Sequence, residues 1–202
     1  MRFKEYSKPS PHIVIDNFLT SEEYNEVRNE INDLLPRMTP GKMCNDGTGV
    51  ETMNQRKNNL NIWLNDAYSD RGLSSILVSL RKIWGNEMTS YLQNTDAGIF
   101  RLYNITNSDD TLLTVYKNGA FYKKHIDAGS GVNHLFLTSN LMIGGNFKGG
   151  IFMLGNKIIP FKDNRLIIFE SHREHQVTTV ETDDSSDNWR YSIQYFAELK
   201  KT

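Results

Sequence analysis

The sequence predicts an α+β fold that is mainly β: a jelly-roll barrel or sandwich with helices packed on its outside. Two observations lead to this prediction. Helical periodicity of apolar residues is confined to the first half of the 202-residue chain, whereas short strand-like runs divided by turn residues fill the second half. About eight short strands in roughly a hundred residues is typical of a jelly roll. Helices that precede the strands along the chain favour helices packed on one face of a sheet.

The first half opens with a short predicted strand, residues 12–18, followed by a helix. Thr20 starts this helix, and Glu23 three residues later completes a capping box. Apolar residues continue at helical spacing as far as Leu35, and Pro36 ends the helix.

Two further helices are expected in the first half, at residues 73–84 and 86–92. Residues 37–59, which precede them, are polar and rich in Gly, Asn and Thr, and they predict a long loop. Such a loop is either a lid over a substrate or merely mobile, and its composition leaves both alternatives open.

The strands of the second half are separated by glycine-containing turns such as Asn118-Gly119. We expect one domain over residues 1–202, in which 1–96 form a helical support region and 97–202 form the β core. The candidate strands are residues 97–103, 111–117, 120–127, 134–143, 149–154, 157–161, 165–170, 174–180 and 189–197.

The composition is that of an ordinary globular protein, with 38% apolar and 23% charged residues. The 23 basic and 24 acidic side chains give a formal net charge of -1, which disfavours binding to nucleic acid. The lone cysteine, Cys44, excludes an internal disulfide. The N-terminus lacks the apolar core of a signal peptide, and no apolar run is long enough to span a bilayer. We therefore expect a cytoplasmic protein without a membrane partner.

The segment FYKKHID carries the first candidate metal ligands. Side chains alternate along a strand, so His125 and Asp127 would point to the same face and could hold a metal from one side. A third ligand is expected from RLIIFESHREHQVTTV, which contains His172 and His175. We favour His175, because it begins a β-type run and strands hold ligands more firmly than turns do. Two imidazoles and one carboxylate form the facial triad that leaves coordination positions open on iron(II).

The last predicted strand, within WRYSIQYF, would place Arg190, Ser192 and Gln194 on one face. Inward positions of a small barrel are normally apolar, so a polar inner face needs a reason. A buried arginine needs an anion, and its planar fork matches a carboxylate through two hydrogen bonds. A dicarboxylate that also chelates the metal would supply that anion.

A series of short motifs runs through most of the chain: HIVIDNFLTSEEY, VYKNGAFYKKHID, FKGGIFML, HQVTTV and RYSIQYF. In this order and at these spacings, they resemble the 2-oxoglutarate/iron(II) oxygenase superfamily, in its prolyl 4-hydroxylase-like branch. The first motif is similar to that branch's opening strand and helix, and the second to its tyrosine, glycine turn and HxD strand. The last two are similar to its distal histidine and its cosubstrate-binding basic residue. Each motif alone is weak, and their order carries the resemblance.

The resemblance implies a distorted double-stranded β-helix that holds Fe(II) through His125, Asp127 and His175. It also implies two cosubstrates, 2-oxoglutarate and O2. Whether ascorbate is needed to keep the iron reduced is left open by the sequence.

The resemblance assigns the 2-oxoglutarate site as well. Arg190 would pair with the distal carboxylate, and Tyr116, nine residues before His125, would offer its hydroxyl to the same group. Ser192 is a further candidate contact. Collagen-type relatives usually carry lysine where Arg190 stands, and the acidic insert ETDDSSDN lengthens the segment before it. Both departures weaken any transfer of substrate identity.

The implied function is a hydroxylase whose partner is a peptide or small-molecule substrate. Peptidyl proline is the leading substrate, and a free amino acid or other small metabolite is the alternative. A non-catalytic jelly-roll binding module is the alternative of another class. A degenerate module should lack a metal ligand or the arginine, and this chain has both. The sequence leaves the oligomeric state and the position of hydroxylation open.

Overall fold

The computed structural model describes residues 2–41, 56–107, 110–128 and 134–199. Cys44 and most of the predicted loop 37–59 lie outside the described residues. The part that is described is mostly antiparallel β-sheet with a few helices, so the predicted jelly-roll fold class is confirmed.

The first 107 residues contribute both helices and strands to the fold. The helices are α1 (Ser21–Leu34), α2 (Leu64–Ala67), α3 (Ser75–Leu80) and α4 (Asn86–Gln93), with 3-10 helices at Leu35–Arg37, Arg71–Leu73, Arg81–Trp84 and Gly98–Ile105. The strands are β1 (Arg2–Tyr6), β2 (His12–Asp16), β3 (Thr39–Pro40), β4 (Lys57–Asn58), β5 (Leu60–Trp63) and β6 (Thr106–Asn107).

The rest of the described chain is almost entirely strand, with one 3-10 turn at Ser186–Asn188. The strands are β7 (Thr111–Tyr116), β8 (Phe121–His125), β9 (Leu135–Gly144), β10 (Lys148–Gly149), β11 (Phe152–Leu154), β12 (Lys157–Ile159), β13 (Arg165–Glu170), β14 (His175–Val177), β15 (Val180–Glu181) and β16 (Arg190–Leu199).

The strands within the described ranges form two principal sheets. The large sheet has the order β1-β2-β13-β9-β16-β7-β5-β3, and β6 also pairs with β16. The small sheet has the order β12-β11-β14-β8-β4, and a short ribbon joins β10 to β15. The region expected to be a helical support therefore also supplies β1, β2, β3 and β5 to the large sheet.

Helix α1 begins as the sequence predicted. The Thr20 side chain accepts a hydrogen bond from the backbone of Glu23, and the Glu23 side chain returns one to Thr20. Val27, Ile31 and Leu34 repeat at helical spacing and are buried. Burial of this stripe against the large sheet places the helix outside the barrel.

The predicted strand at 97–103 is wrong, because residues 98–103 belong to the 3-10 helix Gly98–Ile105 and Ala97 caps it. Phe100 and Tyr103 are both buried and lie three residues apart, the spacing that brings side chains together in a 3-10 helix. Tyr103 stacks on Trp84, with ring centroids 4.5 Å apart. Tertiary packing of these rings outweighs the strand preference of the segment.

An apolar core lies on each face of the large sheet. One core lies between that sheet and the helices, and it includes Ile13, Leu141 and Ile193. The other lies between the two sheets, and it includes Phe152 and Phe169. This second side is the barrel interior, where polar side chains also collect. None of the helices within the described part of the chain is long and apolar enough to cross a bilayer.

Candidate metal centre

Three of the predicted site residues converge on the small sheet. His125 ends β8 and His175 begins β14, and the two residues are direct partners across the strand pair. Together with Asp127, they present ligand atoms that all lie within 4.8 Å of one another. Oδ1 of Asp127 is 3.5 Å from Nε2 of His125 and 3.5 Å from Nε2 of His175.

Asp127 reaches this cluster differently from the way the sequence predicted. Strand β8 ends at His125, so strand alternation does not aim the aspartate. Instead, the backbone NH groups of Asp127 and Ala128 donate to the carbonyl oxygen of Ser171, at 3.0 and 3.1 Å. The turn after β13 therefore holds the chain just beyond β8.

Both histidines in the cluster are oriented by their outer ring nitrogens. Nδ1 of His125 lies 2.9 Å from the carbonyl oxygen of Lys123, and Nδ1 of His175 lies 2.9 Å from that of Arg173. A carbonyl can only accept, so Nδ1 donates to it in each ring, and Nε2, the nitrogen on the Asp127 side, is left available to a metal. By contrast, His172 is exposed and lies outside the cluster.

The electrostatics of the cluster also suit a cation. Burial alone would raise the pKa of Asp127, but the two imidazoles hold that pKa well below its ordinary value. Burial and the neighbouring His175 lower the pKa of His125. Burial opposes a charge on His175, but the carboxylate of Asp127 outweighs it and raises the His175 pKa. An ionised carboxylate beside two imidazoles is a ligand set that a divalent metal can occupy.

The cluster opens into a cavity of about 670 Å³ between the two sheets. Its polar lining on the large sheet comes from Thr114, Thr138, Asn140 and Gln194. Aromatic and titratable side chains also line it, among them Trp63, Asp110, His134, Phe196 and Glu198.

Arg190 is fully buried on β16 and faces Tyr116 across the strand pair. Its Nε donates to the carbonyl oxygen of Gly150 at 3.1 Å, and its Nη1 donates to Oγ of Ser192 at 2.7 Å. Nη2 is buried without a hydrogen-bond partner within the described residues. Gly150 has φ +57° and a Cβ there would lie 3.0 Å from Cδ of Arg190, so glycine lets the backbone approach.

The guanidinium carbon of Arg190 lies 4.9 Å from the ring centroid of Tyr116, and Tyr116 itself lines the cavity. Burial lowers the pKa of Arg190 without discharging it, since guanidinium stays protonated in proteins. A buried cation with one free donor is the environment in which a carboxylate is stabilised. The structure thus groups Tyr116, Arg190 and Ser192, and Ser192 contacts the arginine directly.

Sequence reasoning missed Thr138 and Ser171, which both contact the Asp127 segment. A signal was present for the first of them. Thr138, Ser139 and Asn140 interrupt the otherwise apolar strand β9, and strand alternation puts Thr138 and Asn140 on the same face, which indicates a polar inner face. Ser171 lies in a polar turn, where its sequence carries no comparable signal.

Comparisons with known proteins show what the chain is similar to. Residues 111–198, which include every predicted site residue, match the family model described as 2OG-Fe(II) oxygenase superfamily. A search of curated proteins found no match to this chain.

Solved structures resemble the whole described fold. A prolyl hydroxylase from Trichoplax adhaerens, in complex with a hypoxia inducible factor oxygen degradation domain peptide fragment, matches with TM-score 0.69 and 20% identity, over 93% of this chain and 83% of that chain. A prolyl-4-hydroxylase from Pseudomonas putida matches with TM-score 0.63 and 13% identity, over 94% and 93%. A viral collagen prolyl hydroxylase from Paramecium Bursaria Chlorella virus-1, in its 2-oxoglutarate complex, matches with TM-score 0.63 and 15% identity, over 94% and 96%.

At these identities the solved structures establish the fold alone, and the family model identifies the chemistry of the barrel. The resemblance seen in the sequence is therefore confirmed, and with it the Fe(II) and 2-oxoglutarate that the family uses. Residues 111–198 match the 2OG-Fe(II) oxygenase superfamily, and this match, together with the cluster of His125, Asp127 and His175, supports a 2-oxoglutarate-dependent dioxygenase.

Proposed function

We propose that this dioxygenase hydroxylates peptidyl proline, with Fe(II) held by His125, Asp127 and His175. The observation that carries the proposal is the convergence of these three side chains in the cavity wall. When bound, the iron supplies the oxidising chemistry, in which 2-oxoglutarate and O2 give succinate, carbon dioxide and a hydroxylated substrate. The chain's own residues hold the metal, orient the two organic reactants and limit the access of water.

Arg190 is the proposed partner of the distal carboxylate of 2-oxoglutarate. Its buried, unpartnered Nη2 supports this role, because a carboxylate would satisfy both the charge and the donor. Tyr116 lines the cavity beside the guanidinium and is proposed to donate its hydroxyl to the same carboxylate. Ser192 accepts from Nη1 and is proposed to orient the guanidinium from the other side.

Peptidyl proline is supported by exposed apolar side chains that line the cavity and by the structural neighbours. Trp63 is 41% exposed and Ile126 is 43% exposed, and both line the cavity. Exposed apolar side chains beside an active site suit a substrate that extends beyond the reacting residue. Three of the structural neighbours are named as prolyl hydroxylases.

The metal assignment is tested by measuring how much metal each variant binds. His125→Ala, Asp127→Ala and His175→Ala should each largely abolish binding of one divalent ion per chain. His172→Ala is the matched control, because His172 is exposed outside the cluster. Loss of metal in His172→Ala with retention in His175→Ala would overturn the choice of the distal histidine.

The substrate assignment is tested by incubating the iron-loaded enzyme with proline-rich peptides and, separately, with free amino acids. Mass spectrometry should detect the gain of one oxygen atom on a peptide proline. Hydroxylation of a free amino acid alone would establish the small-molecule alternative. Succinate formation in either arm would exclude a non-catalytic binding module.

We further propose that the chain acts as one domain, because β1, β2 and β5 from the first 96 residues belong to the same sheet as the barrel strands. Limited proteolysis should therefore release no stable fragment that ends near residue 96. Cytoplasmic location remains a prediction from the sequence, and fractionation of cells that express the protein would test it.

A further inference from the structure

The carboxylate of Asp127 needs an orienting contact that the main chain does not provide. Its residue lies past the end of β8, where the backbone is fixed by the two hydrogen bonds to the Ser171 carbonyl oxygen. Those bonds leave the carboxylate free to turn about its own side-chain bonds. An aspartate can offer a metal one oxygen or both, so this rotation decides the coordination.

Thr138 makes the contact that stops this rotation. It lies on the inner side of β9, is 1% exposed and lines the cavity. Its hydroxyl donates to Oδ2 of Asp127 at 2.8 Å. The opposite oxygen, Oδ1, is the one that lies 3.5 Å from Nε2 of both His125 and His175.

Ser171 fixes the hydroxyl of Thr138 in turn. The two hydroxyl oxygens are 3.0 Å apart. Thr138 has a single hydroxyl proton, which it gives to Asp127, so Ser171 must be the donor in this second contact. Ser171 is fully buried, and its backbone NH donates to the carbonyl oxygen of Phe136 at 3.0 Å. Strand β9, which carries both Phe136 and Thr138, therefore also holds Ser171 in place.

We propose that Thr138 is a positioning residue for the metal centre, which ties Oδ2 of Asp127 away from the metal so that Asp127 binds through Oδ1 alone. This inference rests on the metal ligands proposed above. Hydrogen bonds to ligating carboxylates set their orientation, and they are satisfied before the metal arrives. Thr138 touches neither metal nor substrate in this role.

Thr138→Val tests the proposal, because valine keeps the shape of threonine and removes the hydroxyl. Co(II) is the probe, since its visible absorption spectrum reports the number and arrangement of its ligands. We expect Thr138→Val to raise the Kd for Co(II) on the order of 10- to 100-fold. We also expect a changed spectrum, because both carboxylate oxygens can then approach the metal. Thr138→Ser retains the hydroxyl and should restore both the affinity and the spectrum.

Thr114→Val is the matched control. Thr114 lines the same cavity from β7, but its hydroxyl contacts Gln194 and no proposed ligand. Its Kd and spectrum with Co(II) should equal those of the wild type.

The outcomes separate the two proposals. A folded wild-type protein that fails to bind Co(II) would defeat the proposed metal site itself. A wild type that binds Co(II), together with a Thr138→Val variant of equal affinity and unchanged spectrum, would defeat only the role of Thr138. So would a Thr138→Ser variant that binds no better than Thr138→Val, since the hydroxyl would then be irrelevant. Thermal melting of the metal-free variants shows whether any loss comes from unfolding.

Discussion

At the scale of single residues, Arg190 is a fully buried cation whose guanidinium keeps an unsatisfied donor. Its Nε and Nη1 are satisfied by Gly150 and Ser192, and Nη2 is not satisfied within the described residues. Leaving a buried donor unpaired lowers the free energy of unfolding. An anion bound to Nη2 would remove this penalty; without one, the rest of the fold must offset it.

Arg190→Ala should therefore weaken the binding of 2-oxoglutarate while leaving the metal cluster intact. Hydrogen bonds to charged groups contribute about 1.5–3 kcal/mol, so the KM for 2-oxoglutarate should rise on the order of 10- to 100-fold. Arg190→Lys should rescue partly, because it keeps the charge and loses the planar fork. Succinate formation is titrated against 2-oxoglutarate, with metal content measured on the same samples. A KM that does not change in a folded Arg190→Ala protein would remove Arg190 from the cosubstrate site.

Individual site residues were largely accessible from the sequence, and the contacts around them were not. His125 and His175 were predictable because each belongs to a strand-like run, and both do join the cluster. The aim of Asp127 was inferred from strand alternation, whereas it depends on Thr138 and Ser171. Hydrogen bonds between segments that are distant in sequence leave no local pattern to read.

At the scale of elements, charged side chains connect the neighbouring strands β2 and β13 of the large sheet, in addition to the backbone hydrogen bonds between them. Asp16 at the end of β2 accepts from Nε of Arg165 on β13 at 2.7 Å, and Lys162 contacts the same carboxylate at 2.9 Å. The hydrogen bond from Arg165 and the nearby Lys162 lower the pKa of Asp16 from 3.8 to about 2.

This lowered pKa gives stability a defined pH dependence. A carboxylate with a depressed folded pKa stabilises the fold above its unfolded pKa, and that stability is lost as the pH falls through the folded pKa. Solvent screens this partly exposed pair, so Asp16→Asn should cost on the order of 0.5–1 kcal/mol at neutral pH. This loss in the free energy of unfolding should shrink as the pH falls from 3.8 to about 2. Urea unfolding of wild type and variant at several pH values measures the loss, and Asp96→Asn is the control because Asp96 is exposed. A deficit that stays constant into this acidic range would contradict the assignment.

Elements with strong local signals were predicted well, and those decided by tertiary contacts were not. The capping box of α1 and the apolar strands β9, β13 and β16 are visible in the sequence. The segment at 97–103 has strand-like composition, yet packing of Tyr103 on Trp84 accompanies a 3-10 helix. Short strands such as β3 and β4 exist only through their pairing with distant partners, which local patterns do not specify.

At the scale of the whole molecule, the two sheets have different roles. The outer face of the large sheet packs on the helices and provides the main core. The small sheet carries both histidines of the cluster, and the inner face of the large sheet carries Arg190 and Thr138. Register between strands far apart in sequence sets the geometry of the site, so the order of motifs predicted the fold class while the exact contacts required the structure.

The central claim is that a single iron centre in this cavity couples the breakdown of 2-oxoglutarate to hydroxylation. The most direct measurement is succinate formation by wild type and by Asp127→Ala, each shown to be folded, with Fe(II), O2, 2-oxoglutarate and a proline-rich peptide. Wild type should form succinate in proportion to hydroxylated peptide, and Asp127→Ala should form almost none, because the cluster loses its carboxylate. Equal succinate formation by the two proteins, or none by iron-loaded wild type with any peptide or amino acid offered, would contradict the account.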